Sequence, residues 1–210
     1  MNARDALYGA FSRHPLRRVV EGCPHCVSDE DQARLRAVPL HRLSAEQLDR
    51  YAFKAMTTWG EADDYRHFLP RILELACSDE GAAWPGLDPD LVARKMIDAG
   101  WRDWPADERA AVARFLDEHA RLERGWLTPL ETLGLDVAAR LAAWRDGDDV
   151  AALVACAEFV IDNFDRPAVR AFARDPATAA AFEGAFLDDD GALDLDVAPL
   201  ARAADLCRFA

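Results

Sequence analysis

Residues 44–60 read SAEQLDRYAFKAMTTWG and carry the clearest secondary-structure signal in the chain. Ser44 and Gln47, three residues apart, match a capping box, which satisfies free amides at the first turn of a helix. Apolar side chains then recur at helical spacing, at Leu48, Tyr51, Ala52, Ala55 and Trp59. We expect Gly60 to end the helix, because glycine readily adopts the left-handed conformation that follows a last turn. The stretch therefore predicts an amphipathic helix that runs almost to Gly60.

The composition extends this helical signal to the whole chain. Its 210 residues include 41 Ala and 24 Leu, which favour helices, against 12 Val, 3 Ile and 5 Thr. A sheet fold would need several runs rich in β-branched residues, and only Val19-Val20 comes close. We therefore predict an all-α protein with about nine or ten helices, arranged as a multi-helix bundle or an irregular superhelix of helix pairs.

Acidic capping residues mark where the later helices begin. Asp88-Pro89 and Asp175-Pro176 each place an N-cap before a proline, which suits the first turn of a helix. Asp136 is expected to open another helix in the same way. The aspartate at position 148 or 149 is expected to open the most apolar segment of the chain.

One of the apolar stripes is interrupted by a proline. The stripe consists of Tyr65, Phe68, Leu69, Ile72 and Leu75. Pro70 lies within it and lacks the amide hydrogen that would bond to the carbonyl oxygen of Arg66. We expect the helix to start close to His67, so that the proline falls in the first turn; a kinked helix is the alternative.

The charge and the cysteine count limit the class of partner and the compartment. With 25 Lys and Arg against 38 Asp and Glu, the net charge is −13, so a nucleic acid or an anionic membrane surface would be repelled. The N-terminal residues lack the long apolar stretch of a secretory signal, and no apolar run is long enough to span a membrane. The five cysteines are widely scattered, which does not suggest a disulfide framework. We expect a cytoplasmic protein.

The distribution of charge suggests how the chain is organised. We expect residues 1–42 to form an irregular N-terminal segment with a Cys-x2-Cys turn, and residues 43–210 to form a helical domain. Residues 1–60 carry 9 positive and 7 negative charges, whereas residues 106–210 carry 11 positive and 21 negative charges. This difference favours docking of the N-terminal segment on the acidic remainder in one compact unit, although surface ion pairs contribute little.

Cys23-Pro24-His25-Cys26 is the sharpest local motif. It resembles the active-site motif of the disulfide oxidases of the thioredoxin superfamily. The resemblance implies that the first cysteine lies at a helix N-terminus, where the helix dipole and the histidine stabilise a nucleophilic thiolate. It covers four residues only, because that family has a strand before the motif and a central sheet, which this chain lacks.

Metal binding is a second hypothesis for the same motif. Cys-x2-Cys supplies two thiolates from one tight turn, which is half of a tetrahedral zinc site. His14 and His41 are close enough in sequence to complete a Cys2His2 site with Cys23 and Cys26. A third reading is that both are ordinary cysteines on a turn.

A polar group in the next helix is a further candidate site. It consists of Asp64, His67, Arg71 and Glu74, of which the last three share one helical face. A carboxylate beside a histidine could orient it for proton transfer. The alternative, which we favour, is a solvated or inter-helix salt-bridge face.

Residues 51–60 and 64–75, about 51–75 in all, resemble a group of uncharacterised bacterial helical proteins. This resemblance implies no activity, and we find no complete set of catalytic residues. The sequence therefore favours a non-enzymatic interaction or regulatory module that binds another protein without a cofactor. The alternative is a zinc-binding or thiol-redox protein that uses Cys23 and Cys26.

Overall fold

The alanine- and leucine-rich sequence forms helices throughout the described residues, which are 2–147, 149–188 and 195–210 of this computed structural model. These ranges contain twelve α-helices and no β-strand, so the all-α prediction is confirmed. The helices are α1 (Ala3–Phe11), α2 (Asp29–Arg34), α3 (Ala45–Lys54), α4 (Ala62–Ala76), α5 (Pro89–Asp98), α6 (Ala106–His119), α7 (Leu127–Leu133), α8 (Val137–Arg145), α9 (Val150–Asp162), α10 (Pro167–Ala173), α11 (Pro176–Leu187) and α12 (Ala198–Arg208). No helix in these ranges has the length and hydropathy needed to cross a membrane.

The chain divides into two compact units, Met1–Leu135 and Asp136–Ala210, here called the N-terminal unit and the C-terminal unit. In the N-terminal unit, α1 packs on α4 and α6, α5 packs on α4 and α7, and α3 packs on α4. In the C-terminal unit, α12 packs on α9 and α11, and α8 packs on α9 and α10. The division expected after residue 42 stays a prediction.

The helix count expected from sequence was slightly low. Three of the twelve described helices, α2, α7 and α10, have only six or seven residues each. Two turns of helix are too short to show a repeating apolar pattern, so periodicity cannot detect them. Such short helices depend on packing within their unit rather than on intrinsic propensity.

The predicted caps lie where the sequence placed them. The Ser44 hydroxyl accepts a hydrogen bond from the Gln47 amide, and the Gln47 side chain accepts one from the Ser44 amide. The side chains of the four capping aspartates accept amide hydrogen bonds at the starts of α5, α8, α9 and α11: Asp88, Asp136, Asp149 and Asp175. The other candidate cap, Asp148, lies outside the described residues.

The expected end of α3 was wrong. The helix ends at Lys54, because Ala55 leaves the helical region with ψ 134° and Met56 adopts a positive φ of 59°. Trp59 is nevertheless buried, since the chain turns back after α3 instead of continuing as a helix. Gly60 does have the expected positive φ, 75°.

The expected start of α4 was also wrong. The helix begins at Ala62, with Glu61 as its N-cap, and Pro70 lies in its interior. A proline in a helix interior costs about 3 kcal/mol. Eight residues of α4 are buried, so packing offsets that cost: Asp64, Tyr65, Phe68, Leu69, Pro70, Ile72, Leu73 and Leu75.

Candidate functional site

The Cys-Pro-His-Cys motif forms a turn, called the cysteine turn here (residues 23–27), that is anchored to the segment after α3. The Cys23 amide donates a hydrogen bond to the Thr58 carbonyl oxygen at 2.9 Å, and Gly22 forms an antiparallel bridge with Trp59. A Cβ atom at Gly22 would lie 2.9 Å from Val27 Cγ2 and 3.3 Å from Trp59 Cδ1. The absence of a side chain at Gly22 therefore lets the turn lie directly on the buried indole.

Hydrogen bonds within the turn and from α3 fix its shape. The Cys23 carbonyl oxygen accepts bonds from the amides of Cys26 at 2.8 Å and Val27 at 2.9 Å. The Cys26 carbonyl oxygen accepts bonds from Lys54 Nζ at 2.8 Å and Arg50 Nη2 at 3.1 Å. Two cations of α3 thus lie beside the cysteines.

The environment of Cys23 stabilises its thiolate. The backbone amide of His25 lowers the pKa of Cys23 most, and the Cys26 thiol, the Cys26 amide and the charge of Lys54 lower it further. Partial burial opposes these effects but does not outweigh them. Cys23 and Cys26 are both free thiols and both partly exposed, so a reactant can approach them.

The cysteines of the C-terminal unit have the opposite character. Burial raises the pKa of Cys156 to about 12 and that of Cys207 to about 11. Both side chains belong to the hydrophobic core of their unit. A lowered pKa combined with partial exposure distinguishes Cys23 from these two thiols, and this combination is typical of reactive cysteines.

The ligand set predicted for zinc is not assembled. His14 Nε2 lies 2.9 Å from Glu108 Oε1, and His41 is an exposed residue of a 3-10 turn at residues 40–42. Across residues 2–147, 149–188 and 195–210, no group of three or more His, Cys, Asp or Glu side chains is placed to hold a metal ion. The geometry gives the Cys2His2 hypothesis no support.

The second predicted cluster divides between two places on α4. Asp64 and His67, in its first half, face the segment that follows α1. The His67 ring nitrogen Nδ1 lies 2.8 Å from the His14 carbonyl oxygen, to which it donates a hydrogen bond. Burial lowers the pKa of His67, and neither that hydrogen bond nor the charge of Asp64 reverses the shift. His67 is therefore neutral near pH 7.

Asp64 completes the N-terminal cap of α4. Its Oδ2 accepts a hydrogen bond from the Glu61 amide at 3.0 Å, and its Oδ1 lies 3.6 Å from Arg17 Nε. The Asp64 side chain is buried, and its capping hydrogen bond gives the carboxylate a partner there. These contacts give Asp64 a structural role between α4 and the segment after α1.

Arg71 and Glu74, in the second half of α4, contact α1 instead. Glu74 accepts hydrogen bonds from Arg4 Nε, from the Tyr8 hydroxyl at 2.5 Å and from Arg71 Nη1 at 3.1 Å. Burial raises the pKa of Glu74, but the three hydrogen bonds outweigh it and leave the pKa below its ordinary value. Arg71 Nε also donates to the Leu43 carbonyl oxygen at 2.7 Å. This half of the cluster links three parts of the N-terminal unit.

The sequence analysis missed Glu108, a fully buried acidic residue of α6. It lies in the first turn of α6 with no exposed surface. Oε1 contacts His14, while Oε2 has no hydrogen-bond partner among the described residues. Its position four residues before Val112 and seven before Phe115 places it on the buried helical face. That spacing is the signal by which it could have been found.

The chain was compared with known proteins by sequence and by fold. Protein-family models, curated proteins and solved structures give no match to it. The candidate sites therefore depend on the geometry described above.

Proposed function

We propose that Cys23 and Cys26 form a dithiol–disulfide site that exchanges disulfide bonds with a polypeptide substrate. The observation that carries the proposal is the contact of the Cys23 thiol with the His25 amide and the Cys26 thiol in one turn where both thiols are partly exposed. A stabilised thiolate is the attacking species in thiol–disulfide exchange. A second thiol within reach resolves the mixed disulfide.

The exchange proceeds in two balanced steps. The Cys23 thiolate attacks one sulfur of the substrate disulfide; a Cys23–substrate disulfide forms, and the other substrate sulfur leaves as a thiolate and takes a proton from water. Cys26 then loses its proton to water and attacks the Cys23 sulfur, which releases the second substrate thiolate. The substrate gains two electrons, the Cys23–Cys26 pair loses them, and a small thiol such as glutathione reduces the pair again.

Exposed apolar side chains of the N-terminal unit favour a polypeptide as substrate. Val19, four residues before Cys23, is 60% exposed. Phe53, on α3 beside Lys54, is 56% exposed. Exposed apolar side chains of this size in the unit that carries a reactive thiol suit the side chains of a bound polypeptide. The sequence predicts a cytoplasmic protein, and glutathione keeps thiols reduced in the cytoplasm. We therefore propose the dithiol as the resting form.

Alkylation at the level of single cysteines tests this proposal. We expect Cys23 to react with iodoacetamide with a pH midpoint below the reference thiol pKa of about 8.5. Cys77, which is half-buried in the same unit, serves as the comparison. With oxidised glutathione, a Cys26→Ser variant should accumulate a mixed disulfide at Cys23, and a Cys23→Ser variant should not. A Cys23 midpoint at or above the reference value, or equal trapping by both variants, would contradict the proposal.

A second candidate function is the protein-interaction module that the sequence favoured. The observation in its favour lies in the C-terminal unit, where Phe186, Leu187 and Phe209 are 39%, 70% and 89% exposed. Exposed apolar side chains of this size can anchor a partner protein. Crosslinking of the wild-type chain in an extract of its source organism should give protein adducts that a Leu187→Ser, Phe209→Ser double variant loses. Identical adducts from both chains would contradict this candidate.

A further inference from the structure

A cavity of about 570 Å³ opens in the N-terminal unit, away from any contact made by the cysteine turn. It lies between the first turn of α1, the last turns of α4 and the last turns of α6. Ligand sites for small molecules span about 300–1,000 Å³. The cavity therefore has the size of a binding site, and the chemistry of its walls decides the class of ligand.

One wall carries two arginines that Glu74 holds in place. Arg4 bonds to Glu74 through Nε, and Arg71 bonds to it through Nη1 and to a backbone carbonyl through Nε. The Arg4 side chain is 44% exposed and the Arg71 side chain is 17% exposed, so neither guanidinium group is fully enclosed by its partners. One carboxylate between two guanidinium groups leaves a net positive charge. This wall is suited to a carboxylate, which guanidinium groups bind in a planar arrangement.

Acidic side chains also line the cavity. Glu80 and Glu118 are both exposed residues of the lining. Glu80 Oε1 accepts a hydrogen bond from the Ala45 amide at 2.9 Å, and Glu118 Oε1 lies 3.3 Å from Arg114 Nε. α4 and α6 both end here, and the C-terminal end of a helix carries a partial negative charge. Both effects favour a positive group such as an ammonium ion.

A third part of the lining is apolar. Ala3, Leu75 and Phe115 are buried residues that line the cavity. The exposed ring of His119 also lines the cavity and packs on Phe115, with the ring centroids 4.5 Å apart. An apolar side chain of a ligand would therefore be removed from water here.

We propose that this cavity binds a small zwitterion with an apolar side chain, of the size of an amino acid or a dipeptide. Its carboxylate contacts Arg4 and Arg71, its ammonium group contacts Glu80 and Glu118, and its side chain packs on Phe115. A phosphate dianion is disfavoured by the two glutamates, and a polyamine is disfavoured by the two arginines. The site is independent of the thiol chemistry proposed above.

Calorimetric titration of the full chain tests the proposal with four related probes. L-leucyl-L-leucine carries both charges, its N-acetyl derivative only the carboxylate, its C-terminal amide only the ammonium group, and the doubly blocked form neither. We expect the zwitterion to bind at least tenfold more tightly than either singly blocked form, and the doubly blocked form to give no signal. Equal affinity for all four, or no binding of any, would overturn the proposal.

Variants locate the binding in the cavity. Arg71→Met should weaken binding of the zwitterion at least tenfold, whereas Arg34→Met, at an exposed arginine of α2, should leave it unchanged. Glu118→Gln changes an exposed side chain and should weaken the zwitterion severalfold without affecting the N-acetyl derivative. It serves where Arg71→Met fails to fold. Unchanged zwitterion binding in Glu118→Gln and in folded Arg71→Met would overturn the assignment.

Discussion

Replacing Glu74 with glutamine tests whether one carboxylate joins α1 to α4. The Glu74 side chain is 12% exposed and accepts hydrogen bonds from Arg4, Tyr8 and Arg71. A hydrogen bond to a charged group contributes about 1.5–3 kcal/mol when it is shielded, and an exposed ion pair such as that with Arg4 contributes about 0.5 kcal/mol. Glutamine keeps one acceptor oxygen, so we expect Glu74→Gln to lower the free energy of unfolding by about 2 kcal/mol.

The effect of Glu74→Gln depends on pH with a defined sign. The pKa of Glu74 lies below its ordinary value in the folded chain. A carboxyl group of this kind stabilises the fold fully above its unfolded pKa of about 4.3, and the contribution is lost as the pH falls through the folded pKa. The wild-type and variant chains should therefore differ most near pH 7 and converge in acid.

Urea unfolding followed by tryptophan fluorescence measures this difference. Five of the six tryptophans lie in the N-terminal unit, so the signal reports mainly on the unit that contains Glu74. Glu30→Gln is the matched control, because Glu30 forms an exposed pair with Arg34 one helical turn away. It should change stability by less than about 0.5 kcal/mol. A Glu74→Gln effect no larger than the control, or one that persists in acid, would refute this account of Glu74.

The structure leads to three further predictions. A Cβ at Gly81 would lie 2.0 Å from a backbone oxygen of α4, so Gly81→Ala should destabilise the chain by about 3 kcal/mol in urea unfolding. Gly125 has a φ of +82° but open space around it, so Gly125→Ala should destabilise the chain by only about 1 kcal/mol. Equal losses of stability in the two variants would contradict the steric argument. Lys54→Met should raise the pKa of Cys23 and slow its alkylation at pH 7, and an unchanged rate would remove Lys54 from the thiolate environment. The NMR titration midpoint of His67 should fall below the reference of about 6.5, since burial disfavours its charged form; a higher midpoint would show that Asp64 dominates.

Local signals in the sequence predicted the parts of the fold that depend on local contacts. Caps such as Ser44 and Asp88 act within three residues, so each could be identified from its own segment. The end of α3 depends instead on a distant contact, the bridge between Gly22 and Trp59. Likewise, Pro70 is tolerated in α4 because the tertiary packing of that helix outweighs a local penalty, which no local pattern reveals.

The same distinction explains which site residues the sequence revealed. The cysteine turn is visible because its two thiols are three residues apart. The grouping of His67 with Glu74 followed the helical period correctly, but the two residues have different partners, His14 and α1, which lie more than 50 residues away along the chain. The helical spacing of Glu108 to Val112 marks its place on the buried face of α6, but its partner His14 lies 94 residues away along the chain, where no local pattern reveals it.

The redox equilibrium of Cys23 and Cys26 tests the central proposal most directly. The wild-type chain would be equilibrated in glutathione buffers of increasing oxidising strength, quenched in acid and analysed by peptide mass spectrometry. We predict a single disulfide that links Cys23 to Cys26 and is reversed by reduced glutathione, while Cys156 and Cys207 remain thiols. A pair that stays reduced at every ratio, or oxidation distributed equally over all five cysteines, would contradict a dithiol–disulfide function.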